Sequence, residues 1–262
     1  MRIVSWNINS VRLRIDALKK VADALQPDFL CLQETKTQDS EFPTADITEA
    51  GFAQQLVRGM KGYNGVAILS SAEISDGGSR NWCAREDCRH IAADIGGKTY
   101  LHNFYVPAGG DEPNPKVNEK FAHKLSFLKE ATDWSAKLPK QSRNIMVGDL
   151  NIAPLENDVW SHKQLVKVVS HTPVEVKALD AWRAAHGWVD AIRAVVPENE
   201  KIYSWWSYRN RSWPGSDKGR RLDHIWVSPA LAAKVTDAGV YRDARGWEKP
   251  SDHAPIWADI DI

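Results

Sequence analysis

The 262-residue sequence contains only three cysteines, and their spacing matches neither a disulfide framework nor a CxxC motif. Cys31 lies inside an apolar run, where a thiol behaves as a core residue. We therefore expect a protein of a reducing compartment. The chain also has no apolar run of membrane length and no signal-peptide pattern at its start, so we predict a cytoplasmic protein without membrane contact.

Several common catalytic motifs are also missing. The eight histidines form no HExxH pair, and the sequence has neither a GxGxxG motif nor a Walker loop. Zinc hydrolysis, dinucleotide binding and P-loop chemistry are thereby disfavoured. Lysine plus arginine and aspartate plus glutamate balance at 34 each, so the net charge gives no sign of a nucleic-acid partner.

Charge is nevertheless concentrated locally, between residues 201 and 221. This segment holds Lys201, Arg209, Arg211, Lys218, Arg220 and Arg221 against Asp217 alone, interleaved with Tyr203, Trp205, Trp206, Tyr208 and Trp213. Such a mixture suits phosphate contacts and base stacking, so the segment is predicted to face DNA, with Arg209 entering the duplex. A basic loop beside core aromatic residues is the alternative on composition alone.

Hydrophobic periodicity predicts one α/β domain over residues 1–262, with a large and irregularly ordered sheet content. The predicted strands are 2–6, 29–33, 65–69, 91–95, 100–106, 144–147, 224–227 and 256–262. The predicted helices are 14–25, 117–138 and 174–186.

Polar residues follow or precede several of these strands. They are Asn7 and Asn9 after the first strand, Glu34 after the second, Asp149 and Asn151 after the strand at 144–147, and Asp252 with His253 before the last. The period of two in a strand places Asp149 and Asn151 on one face. Strand ends often meet at one sheet edge in α/β proteins, and a buried carboxylate there needs a partner.

The residue types indicate the chemistry of such a site. Carboxylate and amide oxygens suit Mg²⁺ or Mn²⁺, and Mg²⁺ takes only one or two protein carboxylates, so Glu34 alone can suffice. Taken singly, Glu34 could be an exposed strand end, His253 a structural histidine held by Asp252, and Tyr105 an ordinary core residue. Their joint occurrence favours a functional site.

Seven short motifs occur in order along the chain. They are WNIN (6–9), LQETK (32–36), YNGVA (63–67), YVP (105–107), GDLN (148–151), RLD (221–223) and SDHAP (251–255). Together they resemble the exonuclease III family of abasic-site endonucleases, within the endonuclease/exonuclease/phosphatase superfamily. The resemblance spans nearly the whole chain.

The resemblance implies a four-layer α/β sandwich of two packed mixed sheets flanked by helices. It also implies Mg²⁺-dependent hydrolysis of double-stranded DNA, 5′ to abasic sites and stepwise from 3′ ends, by a monomer, with Mn²⁺ able to substitute. A superfamily enzyme acting on inositol phosphates or lipids, and a non-catalytic DNA-binding module, are the alternatives.

The resemblance also implies roles for individual residues. Glu34 would bind the metal with Asn7 and Asp252 nearby, Asp149 would deprotonate the attacking water, and His253, oriented by Asp223, would bind a phosphate oxygen. Asn151, Tyr105 and Lys120 would contact the scissile phosphate, and Trp205, Trp206, Arg209, Arg220 and Leu222 would contact DNA. Ala108, Ser10 and Arg220 depart from the family pattern, and Arg220 stands at the wall of the abasic-sugar pocket.

Overall fold

The strands form two six-stranded sheets in the computed structural model, which describes residues 1–210 and 212–262. The first sheet has the order β11-β12-β1-β2-β4-β3 and the second the order β5-β6-β7-β8-β10-β9. The strands are β1 (Arg2–Asn7), β2 (Phe29–Gln33), β3 (Gln54–Arg58), β4 (Val66–Ser70), β5 (Ser75–Gly78), β6 (His90–Asp94), β7 (Thr99–Tyr105), β8 (Arg143–Asp149), β9 (Val189–Asp190), β10 (Asp223–Val227), β11 (Val235–Val240) and β12 (Ile256–Ile260).

Each sheet is mixed, with one parallel pair near its centre. In the first sheet β1 runs parallel to β2, and in the second β7 runs parallel to β8. The other strand pairs are antiparallel. The two strands of each parallel pair end side by side. The residues after β1 and β2 therefore emerge together at one edge, and so do the residues after β7 and β8.

Helices cover the outer face of each sheet. The helices are α1 (Ile15–Leu25), α2 (Thr44–Glu49), α3 (Glu119–Ser135), α4 (His162–Leu165), α5 (Pro173–His186), α6 (Ala191–Val195) and α7 (Trp213–Ser216). Helices α1 and α2 pack on the first sheet, and α3 and α5 pack on the second. None of the helices in the described ranges is both long and apolar enough to cross a membrane.

Apolar side chains from the facing surfaces of the two sheets form a central core between them. With the two outer clusters under the helices, the molecule has four layers. The predicted four-layer α/β sandwich is therefore confirmed. Cys31 is fully buried in the central core, as expected.

All eight predicted strands and all three predicted helices are present, with ends shifted by a few residues. The prediction missed β3, β5, β9 and β11, which are the edge strands of the two sheets. Edge strands lie half-buried or exposed, so their sequences lack the apolar runs that mark central strands. The predicted strand at 144–147 is in fact longer and ends at Asp149.

Two buried amides connect the sheets next to the shared edge. Gln33 in β2 donates to Oδ1 of Asn103 in β7 at 2.7 Å. Asn103 in turn donates to the carbonyl oxygens of Leu32 and Ala67, at 2.9 Å each. Both amides are fully buried, where an unpaired polar group is costly. The ends of β2 and β7 are therefore held in one relative position.

Gly148 allows β8 to pass close to β7 immediately before Asp149. Its φ is +144°, and a Cβ atom there would lie 1.9 Å from the carbonyl oxygen of Phe104. The two residues are partners in the parallel β7–β8 ladder. A side chain at position 148 would therefore push apart the strands that support the site.

We expect Gly148→Ala to lower the free energy of unfolding by about 3 kcal/mol or more, because it combines overpacking with backbone strain. The matched control is Gly96→Ala, whose φ of +87° is also unfavourable but whose Cβ would meet open space. That control should cost only about 1–2 kcal/mol. Chemical denaturation measures both, and equal losses would contradict the steric argument.

Candidate active site

A cavity of about 760 Å³ opens at the shared edge of the two sheets. Its lining includes Glu34, Tyr105, Asp149, Asn151, Leu222 and His253. These residues come from loops and strand ends of both sheets, so the polar strand ends do converge as the sequence indicated. The cavity is the candidate active site.

The Asn7 side chain joins the two halves of the site. Its amide nitrogen donates to Oε1 of Glu34 at 3.0 Å and to Oδ2 of Asp149 at 2.9 Å. Asn7 ends β1 and is fully buried. It presents its NH₂ group to both carboxylates, so in this arrangement it holds Glu34 and does not offer a metal-ligating oxygen. The structure thus shows Asn7 as a hydrogen-bonding partner of both carboxylates, and its place near a metal stays a prediction.

Glu34 begins the loop after β2 in a left-handed conformation, with φ of +52°. Lys36 lies 2.8 Å from Oε2, and the Tyr105 hydroxyl donates to Oε1 at 2.7 Å. Burial would raise the pKa of Glu34, but the bonds from Lys36, Asn7 and Tyr105 outweigh it and lower the pKa. Glu34 is thus a carboxylate kept ionised by its neighbours.

Asp149 and Asn151 do converge, but the geometric reason differs from the predicted strand alternation. The strand ends at Asp149, and Asn151 follows in a left-handed conformation with φ of +55°. The turn brings the Asn151 amide nitrogen to 3.1 Å from Oδ2 of Asp149, and the Asn151 backbone N–H donates to Oδ1 at 2.9 Å. The turn, and not the pleat, aligns the pair.

Asp149 is almost fully buried, with 1% of its surface exposed. Burial is the main cause that raises its pKa, and the nearby Asp223 and Glu34 charges add to it. His253 and the Asn7 hydrogen bond act in the opposite direction, and the pKa lies at about 7. A carboxylate with a pKa near neutrality is suited to accept a proton from water.

His253 stands between two carboxylates. Its Nδ1 lies 2.8 Å from Oδ2 of Asp223, and its Nε2 lies 3.7 Å from Oδ2 of Asp149. The Ser204 hydroxyl donates to the same Asp223 oxygen at 2.6 Å and so fixes the carboxylate. Asp223, and not the adjacent Asp252, holds the histidine.

Burial alone would lower the pKa of His253, but the Asp223 and Asp149 carboxylates outweigh burial and raise it to about 10. The ring is therefore an imidazolium at neutral pH, with one N–H directed toward Asp149. A cation in that position can attract an anionic group in the cavity. It also stabilises the ionised form of Asp149 relative to the neutral acid.

The residue types of the site suit a divalent cation. Glu34, Asp149 and Asp252 line the cavity, and carboxylate oxygens are the ligands that Mg²⁺ prefers. Within the described ranges, one group of three ligand-type residues has atoms within 4.8 Å of one another, namely Asp149, Asp223 and His253. A protonated His253 cannot ligate a metal, so Glu34 remains the better ligand.

Asp252 also lines the cavity. Its Oδ1 accepts a bond from Asn9 at 3.0 Å and its Oδ2 accepts one from the Trp205 indole at 2.9 Å. These two bonds connect the loop after β1 to the basic–aromatic segment, residues 201–221. The structure thus shows a bridging role for Asp252 and no contact with Glu34.

The basic–aromatic segment divides into a buried part and a cavity-facing part. Trp206 and Arg221 have none of their surface exposed. Trp206 donates to Asp217, and Arg221 pairs with Asp158 and Asp190 at 2.7–2.9 Å. Both side chains therefore pack in the interior and do not line the cavity, and contact of Trp206 with substrate stays a prediction.

The cavity-facing part contains Trp205, Arg209, Arg220 and Leu222. The Arg220 guanidinium lies 5.3 Å from the centre of the Trp205 ring. It donates to the Val169 carbonyl at 3.0 Å and to the Ser170 hydroxyl at 2.7 Å, both neutral groups. Burial lowers the pKa of Arg220. Arg211 lies outside the described residues.

Lys120 is exposed and lines an adjacent cavity of about 710 Å³, which shares Tyr105, Ala108 and Gly110 with the main one. Its contact with the scissile phosphate stays a prediction. Ser10, one of the departures from the family pattern, follows Asn9 in a left-handed conformation with φ of +90°.

Two residues of the site were not singled out from the sequence. Lys36 sits inside the LQETK motif, two residues after Glu34, and this spacing is a signal that could have identified it. Ser204 carries no such signal, because a serine within a loop is common and its partner Asp223 lies on another element.

Comparisons with known proteins agree with this geometry. Residues 4–253 match the model of the Endonuclease/Exonuclease/phosphatase family. Exodeoxyribonuclease III of Haemophilus influenzae is 34% identical, over 99% of this chain and 100% of that protein. An AP endonuclease structure from Archaeoglobus fulgidus has a TM-score of 0.92 at 33% identity, and a 3′ phosphatase from Neisseria bound to product DNA hairpin has 0.90 at 30%, each covering 100% of both chains.

The fold and the cavity define a phosphodiester-hydrolysing enzyme whose family is metal-dependent. The chain belongs to the Endonuclease/Exonuclease/phosphatase family. The recognition made from the seven motifs is thereby confirmed, and so is the enzyme class.

We expect Asp223→Asn to lower the pKa of His253 by about 1 unit or more, because the variant removes the carboxylate that contributes most to raising it. Histidine side-chain NMR in metal-free protein measures the titration. Asp252→Asn is the control, since Asp252 contributes less to the raised pKa than Asp223 does. An unchanged His253 titration in Asp223→Asn would contradict the assignment of the pair.

Proposed function

We propose that this protein is a Mg²⁺-dependent DNA repair nuclease that acts as a monomer, with residues 1–262 as one catalytic domain. It cleaves double-stranded DNA 5′ to abasic sites and removes nucleotides from 3′ ends. One observation carries the proposal: a carboxylate with a pKa near neutrality and an imidazolium lie side by side in a cavity that also exposes Glu34. The full-length likeness to exodeoxyribonuclease III and AP endonuclease chains supports the DNA substrate.

Asp149 acts as the general base. Asp149 lines the cavity, and its Oδ2 is held by the amides of Asn7 and Asn151. Both amides restrict the carboxylate to one orientation, as proton abstraction from a positioned water requires. Its raised pKa makes it a stronger base than an exposed aspartate.

His253 stabilises negative charge on the phosphate. Attack on a phosphodiester concentrates charge on the phosphoryl oxygens, so a fixed cation lowers the barrier. Asp223 keeps the ring protonated and oriented, and Ser204 keeps Asp223 in place. The imidazolium is thus prepared before the substrate arrives.

Glu34 would hold the metal, because its carboxylate is ionised and lines the cavity. Bound Mg²⁺ supplies Lewis-acid stabilisation of the phosphate oxygens. Tyr105 and Lys36 keep Glu34 ionised and oriented toward the cavity. The Asn151 amide and the Tyr105 hydroxyl both lie at the cavity. Each would donate to the scissile phosphate by giving up a present bond, from Asn151 to the Val106 carbonyl or Asp149 and from Tyr105 to Glu34.

The DNA flanking the scissile phosphate lies against the cavity-facing part of the basic–aromatic segment. Trp205 and Leu222 provide an apolar surface for a sugar or base, and Arg209 is an exposed cation at the rim. Arg220 adds a cation inside the cavity wall. Its hydrogen bonds within the described ranges go to neutral groups, which leave its charge available to attract phosphate.

The decisive assay uses a duplex with one internal abasic analogue, incubated with Mg²⁺ and separately with EDTA. We expect incision and 3′ shortening with Mg²⁺ only. Asp149→Asn should lower the rate by about 10²–10⁴-fold, because a positioned base contributes that much. Intact duplex after incubation of the wild-type protein with Mg²⁺ would refute the proposal, and full activity of Asp149→Asn would refute the base.

Glu34→Ala should remove most metal-dependent activity and most Mn²⁺ binding while the protein still folds. Calorimetric titration with Mn²⁺ in the absence of DNA gives a readout independent of catalysis. The matched control is Asp111→Asn, another carboxylate at the cavity that contacts none of the site residues described above. Wild-type Mn²⁺ affinity in Glu34→Ala would contradict the metal assignment.

A further inference from the structure

A buried ion pair lies directly beneath the catalytic turn. Lys124 in α3 and Glu175 in the first turn of α5 are both fully buried, and Nζ lies 2.5 Å from Oε1. Neither side chain reaches the cavity. They connect the two outer helices to the loops that form it.

Lys124 uses its three N–H donors on three different segments. Besides Glu175, it donates to the Asn151 carbonyl at 2.8 Å and to the Ala108 carbonyl at 3.2 Å. Asn151 belongs to the left-handed turn after β8, and Ala108 follows the strand that ends in Tyr105. One ammonium therefore ties together the two loops that hold the phosphate donors.

Glu175 organises the part of the cavity wall that Ser170 and Arg220 form. Both of its oxygens accept the Ser170 backbone N–H at 3.0 Å, and Oε2 accepts the Thr172 hydroxyl at 2.5 Å. The Ser170 hydroxyl in turn accepts a bond from Arg220, and the Ser170 carbonyl accepts the Ala153 N–H at 2.7 Å. The carboxylate thus fixes the segment on which Arg220 rests.

Stability alone does not account for this pair. Taking two charges out of water is costly, and apolar residues of similar volume are often at least as stabilising as a buried ion pair. What apolar residues cannot do is bond the Asn151 and Ala108 carbonyls and the Ser170 amide. These hydrogen bonds to backbone groups therefore distinguish the pair from an ordinary core contact.

We propose that Lys124 and Glu175 form a positioning pair that holds the Asp149–Asn151 turn and the Arg220 wall in one fixed relation. The inference rests on the proposed nuclease function. Asn151 bonds Asp149 through both its backbone and its side chain, so a shift of the Asn151 carbonyl also turns the catalytic carboxylate. Displacements of about 1 Å at a reacting group lower rates by about 10²-fold.

The test compares Lys124→Met, Glu175→Met and the double variant. Each single variant leaves a buried unpaired charge and should unfold at a lower temperature. The double variant should recover most of the wild-type unfolding temperature. Its kcat on the abasic duplex should nevertheless stay about 10- to 100-fold below wild type, with a smaller change in KM, because the turn is no longer held.

Hydrogen–deuterium exchange read by mass spectrometry gives a second readout that needs no substrate. Peptides covering residues 148–154 and 168–172 should exchange faster in the double variant, while peptides of β1 should not. Lys129→Met is the matched control, since Lys129 lies on the same helix in an exposed pair with Asp133 and should leave both readouts unchanged.

A double variant with restored stability, wild-type kcat and wild-type exchange would overturn the proposal. If the double variant does not fold, Glu175→Gln decides the question, because it keeps the size but removes the charge. It should lower kcat and speed exchange at 168–172, and the absence of both effects would overturn the proposal. An inactive wild-type protein would refute the nuclease function instead, and the exchange results would still test the positioning pair.

Discussion

The active site depends above all on the Asn7 amide, which bonds Glu34 at 3.0 Å and Asp149 at 2.9 Å. Packing of apolar side chains holds the two sheets together, but it does not define how their strand ends face each other. Directional hydrogen bonds define how the strand ends face each other. Besides the Asn7 bonds, the buried Gln33–Asn103 hydrogen bond also joins the two sheets near this edge. The two carboxylates can then lie close together although they follow strands of different sheets, with Asp149 almost fully buried and 20% of the Glu34 side chain exposed.

These positions give two acidic residues opposite properties. Burial acts on both, but Lys36 and Tyr105 keep the pKa of Glu34 low, whereas Asp149 has two further carboxylates nearby and its pKa rises to about 7. Pairs of titratable groups whose pKa values are pushed apart commonly take different roles in catalysis. Here one carboxylate suits a cation and the other suits a proton, and the His253 imidazolium completes the set.

The basic–aromatic segment shows the limit of reasoning from composition. Residues adjacent in sequence lie in different environments: Trp205 and Arg220 line the cavity, while Trp206 and Arg221 are fully buried. Composition counts all of them as one DNA-binding surface. The buried Arg221 with Asp158 and Asp190 instead anchors the segment, so that its alternate residues can face the cavity.

The sequence by itself determined the central strands, the polar residues at their ends and the class of chemistry, because side-chain type and hydrophobic period are local properties of the chain. Tertiary structure alone decided the edge strands, which lack a strong apolar pattern, and the geometry around Asn151, where a left-handed turn replaces the expected strand alternation. It also decided the pKa of Asp149 and the joining of Lys124 to Glu175. Burial and charge at those groups come from residues distant in sequence, and only packing brings them together.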